Sequence, residues 1–290
     1  MINVEKKIKE RLKEALKEKL EYWESDIRDD DVCDSSKYDL PMAISDADSF
    51  KLYRYMPPTF FSIRNIETQK IHLSPNGVMN DIFEGMPSLI DDLPYNLYDE
   101  LRDLAYMVCM TETYSNKLMW SHYAQKFEGL CVEYDLKRLE KDPQKIIEHL
   151  FPVVYNKRQY IRKEPLKIAK SHKALKKAIA ENYEYDGSEP LDDILPLFLV
   201  KGEEWEYEKE WRIIYTKKQL YEENDDVLYG GNIEFECISA IYLGYLIHPE
   251  IRQNILEICK RISTAYKPIS VFQMKIANDS FRIKFEKLTE

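Results

Sequence analysis

Glycine is scarce in this chain, with 8 in 290 residues. None falls in a GxGxxG pattern or a phosphate-binding P-loop, so the usual glycine-rich cradles for nucleotide phosphates are excluded. GxSxG, HExxH and the protein-kinase set are also missing. The 5 cysteines are widely spaced, with no CxxC pair to suggest a zinc site or a disulfide framework. No apolar run approaches the length of a membrane span. The chain also lacks the basic excess of a typical nucleic-acid binder: its formal net charge is −10. A PD-(D/E)xK nuclease is poorly served, because Tyr207 stands where Lys209 would need an acidic neighbour.

What remains is an ordinary globular balance, 44% hydrophobic and 32% charged, with 21 tyrosines. Tyrosine has an apolar body and a polar tip, which suits it to pockets and interfaces. The charged first twenty residues do not resemble a signal peptide, so a reducing cytoplasm is the expected compartment. Cys131 and Cys237 sit in apolar runs and read as core thiols.

Residues 3–24 repeat apolar side chains at helical spacing (Val4, Ile8, Leu12, Leu16, Leu20). The spacing predicts an amphipathic helix that packs on the core or pairs with a second copy, making a homodimer. An acidic linker follows. Residues 1–50 therefore read as an extension and residues 51–290 as the main domain. Short strands are expected at KLYRY, KIHLS, LCVEYDL, FECISAIYLG, ISVFQMKI and FRIKFEKL. Helices are expected at NKLMWSHYAQKF, with Gly129 as its C-cap, and at HPEIRQNILEICKRIST. Strands and helices mix without strict alternation. The expected class is α+β: one mixed domain with a split or strongly twisted, antiparallel-rich sheet, surrounded by helices. The lysines and arginines of residues 157–177 form a basic helix. It reads mainly as a solvated face, and leaves nucleic acid open as an unfavoured partner.

Four clusters hold the candidate chemistry. Arg54, flanked by Tyr53 and Tyr55 on a strand, can grip a phosphate or carboxylate bidentately, or pair with a glutamate for stability. Asn80, Asp81 and Glu84 either face a ligand or cap a helix. Trp120, His122 and Tyr123 lie on a helix, where the aromatics at a three-residue spacing are either core or a stacking platform. In residues 205–215, an extended chain would put Trp205, Tyr207, Trp211, Ile213 and Tyr215 on one face. Glu206, Glu208, Glu210 and Arg212 would lie on the other. Adjacent carboxylates repel unless cations or ligands offset them, so this segment is either a functional edge or an Arg–Glu ladder on a solvated strand. No metal set is apparent.

Taken in order, LYRY, HLSPNGVMNDIFEG, MWSHYA with GLCVEYD, EWEYEKEWRII and AIYLG resemble a bacterial family of unknown function, domain family 2971. The AbiGi abortive-infection proteins look related to it. The resemblance covers about residues 51–244 and departs at Ile82, where the family pattern has proline. A second resemblance, of plan rather than words, is to ADP-ribosyltransferases. It implies NAD, used as substrate, in a cleft between two small sheets. Arg54 on the first strand would contact the dinucleotide, with Ser74 or Tyr53 next and Glu210 or Glu208 on the late strand. Asn80, Asp81, Glu84, Trp120, His122, Tyr123 and Arg212 would serve as substrate-binding neighbours. The expectation is an NAD-using enzyme in a defence or toxin setting. A non-catalytic sensor or antitoxin-like module with a nucleotide or peptide cleft is the alternative.

Overall fold

A computed structural model of the protein describes residues 4–24, 40, 44–45, 47–75, 81, 105–140, 143–157, 198–216, 219–220, 224 and 230–288. The predicted basic helix beyond residue 157, the acidic linker, Asn80 and Glu84 lie outside the described residues. The strands are β1 (Lys51–Met56), β2 (Lys70–Pro75), β3 (Ala105–Thr111), β4 (Leu130–Asp135), β5 (Leu150–Pro152) and β6 (Val154–Asn156). They continue with β7 (Val200–Gly202), β8 (Glu210–Thr216), β9 (Gly231–Glu234), β10 (Ile238–Leu243), β11 (Ser270–Ile276) and β12 (Ile283–Lys287). The helices are α1 (Val4–Glu24), α2 (Phe60–Thr68), α3 (Lys117–Tyr123), α4 (Pro143–Ile147) and α5 (Pro249–Ile262). The class is α+β, with a mixed and largely antiparallel sheet.

Ten strands form one branched sheet in the order β12-β11-β10-β4-β1-β3-β2-β9, with β8 and β5 continuing from β3. The branch is what positions the site. Along one edge, β3 pairs with β8 over its whole length, Ala105 to Thr111. Its other edge is divided. Tyr106 and Met107 pair with Pro75 and Ser74 of β2, and Thr111 pairs with Tyr53 of β1. Val108, Cys109 and Met110 thus lie in a fork where β1 and β2 part. Arg54 Nη1 bridges that fork by donating to the His72 carbonyl at 3.4 Å.

Both sheet faces are covered. Leu52, Val108, Val132, Trp211, Ile213, Ile241 and Val271 share the larger core with Ile8 and Leu12 of α1. Tyr53, Tyr55, Trp120, Cys131 and Tyr242 form the second. Helix α1 docks through Glu5, which accepts from the Lys51 amide at 2.9 Å, the Ser49 hydroxyl at 2.9 Å and Lys9 Nζ at 2.6 Å. Ile8, Leu12 and Leu16 are buried within the chain. The expected thiols Cys131 and Cys237 are free and buried. Among the described residues, no helix is long and apolar enough to cross a membrane.

Helix α3 ends at Tyr123 rather than at Gly129. Gln125, Lys126 and Phe127 then adopt positive φ, turning the chain back toward β4. Gly129 is needed for proximity: a Cβ there would lie 2.4 Å from the Met56 carbonyl oxygen. Helix α5 begins as the sequence predicts, with Pro249 in its first turn and His248 as N-cap.

Candidate active site

The fork between β1 and β2 opens into a cleft of about 260 Å³. Its floor is the divided edge of β3, Val108 to Met110. Arg54 and Tyr55 of β1, Ser74 of β2 and Tyr123 of α3 form the walls, and Lys201, Glu208 and Glu210 close it. Residues more than a hundred positions apart therefore meet, because β3 pairs with β8 on one side and frays from β1 and β2 on the other.

The glutamates do not reach the cleft in the way alternation predicts. Residues Glu203–Glu208 form a 3-10 turn, not a strand, and Lys209 is left-handed at φ 46 before β8 begins. Glu206 consequently leaves the group and is exposed. Glu208 and Glu210 converge instead on Lys201 Nζ, at 2.7 and 3.1 Å. Lys201 lies 4.7 Å above the Trp205 ring, a cation–π contact that holds it over the turn. Both faces of β8 are buried: Trp211, Ile213 and Tyr215 on one, Glu210 and Arg212 on the other. The solvated-strand alternative is thereby excluded.

The two carboxylates differ in their partners. Arg212 grips Glu210 bidentately, Nε to Oε1 at 2.7 Å and Nη2 to Oε2 at 3.0 Å, and its Nη1 donates to the Phe198 carbonyl at 2.7 Å. Burial alone would raise the Glu210 pKa. The Arg212 and Lys201 charges outweigh it and hold the carboxyl down at about 2. Glu208 has less cationic support: Lys201 on one oxygen and the Tyr123 hydroxyl at 2.5 Å on the other. There burial prevails over Lys201, with the Glu210 charge adding to it, and the Glu208 pKa is raised. Two carboxylates with pKa values pushed in opposite directions mark different roles. Glu210 holds both cations of the network, and Glu208 is the carboxylate with the weaker cationic support. The Glu208 carbonyl also accepts from Thr111 Oγ1 at 2.5 Å, which fixes the turn to β3. The Glu210 amide donates to the Tyr155 hydroxyl at 2.8 Å.

Arg54 stands across the cleft. Burial pulls its pKa below the ordinary guanidinium value. Among the described residues it has no carboxylate partner within ion-pairing distance. Arg54 is half-buried, so its guanidinium keeps part of its solvent contact and is open to an anion entering the cleft.

Residues 119–213 match the model of a family described as protein of unknown function, DUF2971. The matched segment runs from α3 into β8. It contributes Met119, Tyr123, Lys201, Glu208 and Glu210 to the cleft, while Arg54 and Ser74 lie before it. No curated protein and no solved structure matches the chain.

Of the residues singled out in the sequence, Tyr53, Arg54, Ser74, Tyr123, Glu208 and Glu210 line this cleft. Arg212 stands behind it, 1% exposed, as a positioning residue for Glu210. Trp120 is a correction. It is fully buried, edge-on to Tyr55 at 5.2 Å, and its indole N–H donates to the Tyr114 carbonyl at 2.8 Å, so it is core rather than a stacking platform. His122 is exposed on α3 and is absent from the linings of this cleft and of the groove beside it. Asp81 is buried but outside the cleft lining. Lys201, Tyr155 and Thr111 escaped the sequence reading. The signal for Lys201 was indirect: carboxylates crowded at 206, 208 and 210 need more positive charge than Arg212 alone provides. Among the described residues, no group of three or more His, Cys, Asp or Glu side chains is arranged to hold a metal ion.

Proposed function

We propose that the chain is an NAD-using enzyme, an ADP-ribosyltransferase-like protein or NAD glycohydrolase, and that the cleft in the β1–β2 fork cleaves the nicotinamide–ribose bond. The observation that carries this reading is the convergence of Arg54, Ser74, Tyr123 and Glu208 on one cleft. They come from separate elements, and Glu208 has its pKa raised.

In this reaction nicotinamide departs with the electron pair of its C–N bond, leaving positive charge on the ribose. Water, or a nucleophile on an acceptor, adds to the same carbon and releases one proton. A buried carboxylate beside that carbon stabilises the developing charge, and a low-polarity site strengthens the effect. Glu208 has the chemistry for that role. The Tyr123 hydroxyl orients one of its oxygens and Lys201 the other. Glu210, neutralised by Arg212 and Lys201, keeps the pair from repelling ligand phosphates. Arg54 is suited to bind those phosphates. The AbiGi-like resemblance supports a setting in bacterial defence or toxicity.

The second reading is a nucleotide-binding module without chemistry. It is favoured by the fact that both Glu208 oxygens already have partners. Release of nicotinamide by the purified protein, compared with Glu208→Gln, separates the two.

A further inference from the structure

The catalytic cleft is too small for its proposed ligand. At about 260 Å³ it falls below the range of roughly 300–1,000 Å³ typical of sites that enclose a whole small molecule. A second groove of about 880 Å³ adjoins it and shares Arg54, Tyr55 and Tyr123 with it.

This groove has a distinct chemistry. Its lining includes Arg54, Arg64, Lys70 and His72 and, among the described residues, no aspartate or glutamate. Lys70 is already paired, 3.0 Å from Glu234. Arg64 is exposed and makes no ion pair among the described residues. Phe60, Arg64 and Thr68 recur at four-residue spacing on α2, so one helix face turns toward the groove. Phe60 and Phe61 are 68% and 74% exposed, with ring centroids 5.7 Å apart and planes at 75°. Adjacent bare phenylalanines beside guanidiniums that have no carboxylate partner among the described residues are poor solubility chemistry but good chemistry for a base next to phosphates. Asn65 and Asn232 add amide donors and acceptors for a ring edge or ribose.

We infer that this groove seats a nucleoside diphosphate moiety, with its phosphates on Arg54 and Arg64 and its base against Phe60 and Phe61. The inference rests on the NAD reading for its link to the neighbouring cleft: the adenosine diphosphate half would lie here while the nicotinamide riboside enters the fork. Arg54, lining both cavities, stands at the junction where the phosphates would cross.

The test is calorimetric titration of the full chain with ADP and, separately, with inorganic pyrophosphate. The proteins are wild type, Arg64→Ala and Phe60→Ala/Phe61→Ala. All the substituted groove residues are on the surface, so melting temperatures should stay matched. ADP is expected to bind wild type with an affinity that the groove variants lower. Arg64→Ala should weaken both ligands about tenfold. The double phenylalanine variant should weaken ADP about tenfold and leave pyrophosphate unchanged. The inference is overturned if ADP does not bind, if its affinity ignores both groove variants, or if a single-stranded oligonucleotide binds the groove far more tightly than ADP. Nicotinamide release with a KM for NAD unmoved by Arg64→Ala also overturns it, while sparing the NAD reading. ADP binding that follows the groove variants, without any NAD turnover, sinks the NAD reading and leaves the groove assignment standing.

Discussion

Glu210→Gln should be one of the most destabilising conservative substitutions in this chain, and Glu208→Gln, two residues away, should be nearly silent. Glu210 is 4% exposed and neutralises the Arg212 guanidinium on two bonds and Lys201 on a third. Glutamine preserves the shape but not the charge. It leaves two buried cations with only Glu208 between them and forces one amide N–H₂ against a donor. Lowering the carboxyl pKa from 4.5 to about 2 corresponds to about 3 kcal/mol of favourable interaction with the ionised form. Breaking a buried ion pair by removing one partner independently suggests roughly 3–5 kcal/mol. For a chain of this size that should lower the melting temperature on the order of 10 °C. Glu208 is the contrasting case. Its pKa is raised by burial, so its charge opposes folding and its neutralisation should cost little. The assay is thermal unfolding of both variants at neutral pH. A Glu210→Gln variant melting within about 2 °C of wild type, or a Glu208→Gln variant that is the less stable of the two, would refute the division into anchor and ligand-facing carboxylate.

Two further outcomes follow from the same geometry. Because the folded pKa of Glu210 is depressed, its contribution is fully present above the ordinary carboxylate value of 4.5 and is lost as pH falls toward about 2. Wild type should therefore lose stability over that window more steeply than Glu210→Gln, as followed by urea unfolding at stepped pH; parallel curves would contradict the assignment. Trp120→Ala should cost roughly 3–5 kcal/mol by emptying a fully buried site, whereas His122→Ala should leave stability and ADP affinity unchanged. A stable Trp120→Ala protein with impaired ligand binding would restore Trp120 to the site.

The elements that were legible in the sequence are those whose local pattern matches their burial. Strand β12 shows this in part: Ile283 and Phe285 pack on the second core while Lys284 and Glu286 face outward, but Phe281, expected on the same face by alternation, precedes the strand and is exposed. Helix α5 has its proline and its apolar stripe in register. Residues 203–209 failed for a stated reason. Trp205, Tyr207 and the intervening glutamates alternate as a strand would, but Lys201 draws Glu208 inward and Lys209 reverses the backbone, and neither event leaves a periodic trace. The sequence leaves a functional edge and a solvated ladder both open for β8, because Glu210 and Arg212 look like surface residues until Lys201 and the Phe198 carbonyl complete the network. The cleft residues Arg54, Ser74, Tyr123, Glu208 and Glu210 were legible individually. Their meeting depends on the divided edge of β3, a feature of strand pairing that no single segment encodes.

Nicotinamide release from NAD by the purified protein decides whether Glu208 faces a scissile nicotinamide–ribose bond. Wild type should liberate nicotinamide. Glu208→Gln should lose about 10²–10³-fold in rate, the usual scale for deleting one electrostatic stabiliser, while keeping its melting temperature. No release by wild type, or an undiminished rate in Glu208→Gln, would contradict the account.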